Sequence, residues 1–176
     1  MLRLVLSLAI TCFISGLLLS YTNNLTLPER ARQQKLEKLQ VVANVLPEAE
    51  EIEEREIGGV TFYLGKKDGE ITGVSFLQEE KGYSGKVSVM LGMDRNGRTT
   101  GIEIVSHKET PGLGSKIEDE PFKAQFKGID LSVSVKKDGD KIDAITGATI
   151  SSRAICQAVN NGIELFKEVK EEIWKK

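Results

Sequence analysis

From about Val60 onward the apolar residues recur with a period of two, and hairpin turn signals break the runs. Val60-Thr61-Phe62-Tyr63-Leu64 leads to Lys67-Asp68-Gly69, and Ile71-Thr72-Gly73-Val74-Ser75-Phe76 follows as its partner. Gly82-Tyr83-Ser84-Gly85 leads into Lys86–Asp94, which Asn96-Gly97 turns into Gly101–Ser106. Asp-Gly and Asn-Gly tolerate the positive φ that a two-residue hairpin demands, and strands joined that way must run antiparallel. The middle of the chain is therefore expected to be an antiparallel meander.

Helices flank it. Ala154, Ile155, Ala158, Val159, Gly162, Ile163, Phe166, Val169 and Ile173 fall on one stripe at helical spacing, with Lys175 and Lys176 near the favourable end of the dipole. A short helix is expected from Glu120 to Phe126. Ser132–Val135 and Ile142, around an Asp138-Gly139 turn, read as strand-like. Pro28 to Leu46 reads as a further helix, with proline in its first turn and Pro47 as its stop. The acidic run Glu48–Glu56 reads as a solvated face, with no metal-ligand spacing implied. The fold class is α+β.

The N-terminus is different in kind. Leu4–Leu19 is apolar apart from Ser7, Thr11, Ser15 and Gly16, and no charge occurs between Arg3 and Glu29. As a helix rising about 1.5 Å per residue, the uncharged stretch through Leu27 can cross about 30 Å of hydrocarbon. Leu17–Asn23 offers no small-x-small cleavage site, which favours an uncleaved single-span anchor over a signal peptide. The expected division is an anchor over 1–27, a stalk helix and acidic linker over 28–57, and a compact domain over 58–176. Arg30, Arg32, Lys35 and Lys38 follow the span and only Arg3 precedes it, so the Lys/Arg rule alone places the C-terminal domain in the cytoplasm.

Composition removes several functions. With 24 Lys and Arg against 26 Asp and Glu, the formal net charge is -2, which gives no electrostatic basis for nucleic-acid binding. Cys12 and Cys156 form no CxxC pair, and His107 is the one histidine, so no multi-histidine or cysteine-rich metal site can be assembled. A Cys156–His107 thiol hydrolase is a formal option. Cys156 falls beside an apolar stripe, however, where a small buried cysteine is the ordinary explanation.

Two segments carry candidate binding residues. His107-Lys108-Glu109-Thr110-Pro111-Gly112-Leu113-Gly114-Ser115-Lys116-Ile117 is a loop at a strand end, in which Leu113 is a lone apolar residue. Asp143-Ala144-Ile145-Thr146-Gly147-Ala148-Thr149-Ile150-Ser151-Ser152 joins a strand-like segment to the last helix. Free N–H groups at a helix start, beside a glycine that permits a tight turn, suit a phosphate. The residues equally allow Thr149 or Ser151 to do no more than cap the helix, and Leu113 to tuck inward.

Taken together, Gly82–Met90, Glu109-Thr110-Pro111-Gly112-Leu113-Gly114, Asp143–Thr149 and the apolar N-terminus resemble the G subunit of Rnf electron-transport complexes. They are also similar to the C subunit of Na+-translocating NADH:quinone reductase, within the FMN-binding-domain family. The short chain lacks the longer insertions of the quinone-reductase subunit and is closer to the Rnf type. The resemblance implies FMN joined through its phosphate to the Thr149 hydroxyl. A separate flavin transferase would make that bond from FAD with Mg2+, reading Asp143, Gly147 and Ala148 around the target, and Thr146 joins them among the cofactor-binding residues. It places Leu113 against the isoalloxazine, with Glu109, Thr110 and the backbone at Gly112 near its polar edges; spacing alone allows Lys116 to lie near the ring or equally to be a surface lysine. It implies an electron-carrying subunit with no catalysis of its own. That subunit would sit in the cytoplasmic (inner) membrane among other membrane subunits, its flavin domain outside. A non-redox, membrane-anchored extracytoplasmic binding module is the alternative.

Overall fold

The computed structural model describes residues 2–174 and divides into two compact units, Met1–Leu39 and Gln40–Lys176. Helix α1 spans Leu2–Val45 and continues through Pro28, where the sequence suggested a new helix would start. Within it, Arg3–Asn23 is a 21-residue segment of mean hydropathy 2.1, long and apolar enough to cross a membrane. Its two threonine hydroxyls are satisfied locally. Thr11 donates to the carbonyls of Ser7 and Leu8 at 3.1 and 2.8 Å, and Thr22 donates to those of Leu18 and Leu19 at 3.0 Å each. A hydroxyl bonded to its own helix adds no unsatisfied group in hydrocarbon.

The second unit is built on one antiparallel sheet: β1 (Glu51–Ile57), β2 (Val60–Lys67), β3 (Glu70–Lys81), β4 (Lys86–Asp94) and β5 (Thr99–Ser106). Spatial order equals sequence order, as a meander requires. Both hairpin signals are used: Asp68 and Gly69 take φ of 52° and 78°, and Gly97 takes 89°. The acidic run is where the structure departs from a merely solvated face. Glu51–Ile57 pairs with β2 along its whole length, and Glu53 bonds both Arg55 and Lys66. Glutamate is a poor strand former, but at a sheet edge charged side chains discourage pairing with other chains.

Both faces of the sheet are covered, which is why β4 is buried from Val87 to Met93. On one face Phe62, Leu64, Phe76, Val89 and Leu91 meet Ile155, Val159, Ile163 and Phe166 of α3 (Thr149–Ile173). The α3 stripe is buried as its spacing indicated, except that Val169 is half-buried. Arg55 donates to the carbonyl of Ile173 at 3.2 Å, satisfying one orphan acceptor at the helix end. Lys175 and Lys176 lie outside the described residues.

On the other face Val42, Val45 and Leu46 pack with Met90. Glycines from neighbouring strands make that approach possible. A Cβ at Gly65 would stand 2.8 Å from Ala49 and 3.1 Å from Leu46, and one at Gly92 would run into the Val45 carbonyl. Thr100 donates its hydroxyl to that same carbonyl.

After β5 come a loop, a 3-10 turn (Gly114–Glu118), helix α2 (Glu120–Lys123) and a second 3-10 turn (Ala124–Phe126), which together occupy the expected short-helix region. The strands expected at Ser132–Val135 and Ile142 do not form. One parallel bridge, Val135 to Ile142, flanks a 3-10 turn over Lys136–Asp138, which closes at Gly139 with φ 97°. Asn160 of α3 takes up the backbone of Val133 instead, accepting from its N–H at 2.8 Å and donating to its carbonyl at 2.9 Å.

Candidate functional site

The loop after β5 is folded by its own polar groups. Glu109 N–H donates to His107 Nδ1 at 3.0 Å, and His107 Nε2 lies 2.9 Å from Glu118. The Thr110 carbonyl accepts from the N–H groups of Leu113 and Ser115, both at 3.2 Å, and Gly112 N–H donates to Ser115 Oγ at 2.9 Å. These bonds leave Leu113 at the tip, 43% exposed and not tucked into the core.

Glu109 is buried and joins three elements. Its Oε1 accepts from Ser84 N–H at 3.1 Å, in the turn before β4, and its Oε2 accepts from Ser151 Oγ at 2.5 Å, in the first turn of α3. Two glycines of the motifs make room for it. A Cβ at Gly82 would strike its carboxylate, and one at Gly114 would stand 2.9 Å from its Cβ and its Oε2.

At the start of α3, Gly147 takes φ 82°, and a Cβ there would stand 2.8 Å from Leu113 Cδ1. The glycine is therefore set both by backbone conformation and by contact with the loop tip. Ala148 is the N-cap, Thr149 is the first helical residue, and no side chain caps the helix. Ser151 and Ser152 are engaged elsewhere: Ser151 Oγ bonds Glu109, while Ser152 Oγ accepts from Ile145 N–H at 3.0 Å and donates to the Ala148 carbonyl at 3.0 Å. The capping reading of Thr149 and Ser151 is thus not realised. The first intrahelical bond comes from Ser152 N–H, which leaves the N–H groups of Thr149, Ile150 and Ser151 without a partner among the described residues.

These pieces enclose a cavity of about 530 Å³, a volume ordinary for a small-molecule site. Glu109, Thr110 and Leu113 line it from the loop, and Gly147, Ala148 and Thr149 line it from the junction, as the sequence proposed. Tyr83, Gly114, Ile150 and Ser151, from the same motif segments, line it too, and so does Lys137, which no motif marked. Gly112, Thr146, Lys116 and Asp143 are exposed and do not line it; the Asp143 side chain meets Lys136 Nζ at 2.7 Å. Lys137 reaches the cavity from the turn before Gly139, with Nζ 3.5 Å from Thr149 Oγ1. No local pattern marks it, because the contact depends on how residues 132–142 fold back on α3.

The thiol reading fails on the same geometry. Cys156 is 3% exposed, and burial, with Asp140 and Asp138 nearby, pushes its thiol up to about 12. His107 is committed to Glu109 and Glu118 and so is not free to form a thiolate.

Residues 82–164, which hold every residue lining the cavity, match the FMN-binding domain family, and this gives the class of domain. The G subunit of the ion-translocating oxidoreductase complex of Stutzerimonas stutzeri is 33% identical over 90% of this chain and 78% of its own length. The G subunit of the proton-translocating ferredoxin:NAD(+) oxidoreductase complex of Clostridium ljungdahlii is 30% identical over 90% and 87%. The chain belongs to this family, the G subunits of Rnf-type complexes. In fold it is similar to NqrC of Shewanella oneidensis, with a TM-score of 0.55 and 21% identity, covering 65% of this chain and 60% of that one.

Proposed function

We propose that the chain carries FMN as a phosphoester on Thr149 and works as a membrane-anchored electron-transfer subunit of an Rnf-type ferredoxin:NAD+ oxidoreductase that translocates ions. The observation that carries this reading is the Thr149 hydroxyl, free of any capping bond, in the wall of the cavity on which the Glu109–Gly114 loop and the Gly147–Thr149 junction converge.

The residues fit the group. Leu113 offers an exposed apolar surface of the kind an aromatic ring system covers, and Thr110 adds a polar group at the rim. The unpartnered N–H groups at the start of α3 suit a phosphate, by up to about 1 kcal/mol where exposed. Bound FMN supplies one- and two-electron redox chemistry, and the protein supplies position and surroundings. Attachment needs a flavin transferase. The Thr149 Oγ–phosphorus bond forms, the pyrophosphate bond of FAD breaks, AMP leaves, and the hydroxyl proton passes to the transferase. The exposure of Asp143, Thr146 and Gly147 leaves that enzyme room to reach the motif.

The apolar segment Arg3–Asn23 anchors the protein by a single span in the cytoplasmic membrane. It carries no charge inside the hydrocarbon, so ion movement belongs to partner subunits. The flavin domain lies on the outer face. A multi-subunit complex can override the weak Lys/Arg bias, and Glu29 and Glu37 dilute it.

Co-expressed with a flavin transferase, the wild-type chain is expected to keep flavin fluorescence on a denaturing gel, and Thr149→Ala to lose it while staying folded. A wild-type band without fluorescence would overturn the reading. Protease added to whole spheroplasts is expected to digest the flavin domain; full protection would place it inside.

A further inference from the structure

Two charged residues line the cavity, and they are differently placed. Glu109 has both oxygens committed to Ser84 and Ser151. Lys137 has no carboxylate partner among the described residues, and its Nζ stands 3.5 Å from Thr149 Oγ1, long for a hydrogen bond. The neighbouring cations are already paired. Lys136 bonds Asp143 at 2.7 Å, and Arg153 grips Asp138 through Nε at 2.8 Å and Nη2 at 2.7 Å. The wall beside Thr149 therefore carries an ammonium with no carboxylate in ion-pair reach among the described residues, together with the free N–H groups of the helix start.

The arrangement has a simple origin. Thr149 and Arg153 are four residues apart on α3 and share a face, while Lys137 and Asp138 are consecutive in one 3-10 turn. Two contacts consequently run side by side, Lys137 to Thr149 and Asp138 to Arg153. The second is bidentate, which fixes orientation as well as distance. The Arg153 guanidinium also holds the Asp138 carboxyl below its usual range, so the clamp is fully charged at neutral pH.

We propose that Lys137 is a phosphate-binding residue of the FMN site, and that Asp138 and Arg153 are the positioning residues that hold it over Thr149. The inference rests on FMN attachment at Thr149. The phosphodiester formed there bears a negative charge, and the ammonium neutralises it. While the Thr149 Oγ–phosphorus bond forms and AMP leaves, the same ammonium stabilises the oxygens on that phosphorus.

The full-length chain, co-expressed with a flavin transferase, tests this through intact mass during loading and through the 31P resonance of the loaded protein. Lys137→Gln is expected to load roughly tenfold more slowly, the loss of one charge-assisted contact. Its phosphorus signal should be displaced from the wild-type position. Lys137→Arg should restore both readouts, and Asp138→Asn, with the lysine retained, should give an intermediate displacement. A 31P signal at the same position in wild type, Lys137→Gln and Lys137→Arg would overturn the proposal, whatever the loading rates. A wild-type chain that gains no FMN would instead overturn the attachment at Thr149 itself, so the two failures are distinguishable. Lys137 is exposed, so the variants are expected to fold as wild type does.

Discussion

Gly147 is pinned twice, by a φ of 82° and by Leu113 Cδ1 at 2.8 Å from where a Cβ would be. Gly147→Ala is expected to cost about 1–3 kcal/mol in backbone strain, read as a lower urea midpoint, and to push the loop tip away from Thr149. A midpoint unchanged from wild type would mean that the junction does not hold this geometry in solution. Cys156 gives the opposite kind of test. Burial raises its thiol from the ordinary 9.0 to about 12, so the native chain is expected to resist iodoacetamide at pH 8 and react only when denatured. Linkage has a definite sign here: the folded state holds the proton more tightly, so this stabilisation is complete below pH 9.0 and is lost as pH rises toward about 12. At this scale the sequence was informative about which residues line the cavity, as at Thr149, Gly147 and Leu113. It was uninformative for Lys137, whose role depends on a partner twelve positions away.

Glu109 is the point where three elements meet, the turn before β4, the loop after β5 and the first turn of α3. Glu109→Ala leaves Ser84 N–H and Ser151 Oγ without their acceptor and opens space beside Gly82 and Gly114. The expected loss is about 1–3 kcal/mol, with flavin loading reduced as well. Glu109→Gln keeps an acceptor of the same shape and is expected to retain most of both. Equal stability in the two variants, measured by urea unfolding, would contradict the bracing role. The hairpins were legible because Asp68-Gly69 and Asn96-Gly97 are local signals. The first strand was not, because charge at a sheet edge resembles a solvated run. Residues 132–142 misled in the other direction: Val133 and Val135 alternate like a strand, yet the backbone bonds go to a single bridge with Ile142 and to Asn160.

In the whole domain, the sheet is covered by α3 on one face and by Val42, Val45 and Leu46 on the other, and the second cover depends on Gly65 and Gly92 leaving space. A chain starting at residue 40 is expected to fold independently. One starting at residue 50 exposes the glycine face and is expected to lose several kcal/mol, at about 1.5–3 kcal/mol for each large apolar side chain removed. Equal unfolding midpoints for the two would show that the second cover contributes nothing. The two-faced burial of β4 departs from the period of two read in the sequence, and the segment covering its second face was not legible, because the packing partners are distant in sequence. All of this converges on one cavity wall and on one oxygen atom in it, Thr149 Oγ1. Trypsin releases residues 142–153 as a single peptide containing Thr146, Thr149, Ser151 and Ser152. After loading by a flavin transferase, that peptide is expected to gain the mass of FMN less one water, with fragmentation placing the addition on Thr149. The unmodified mass, or an addition on Thr146 or on either serine, would contradict the account.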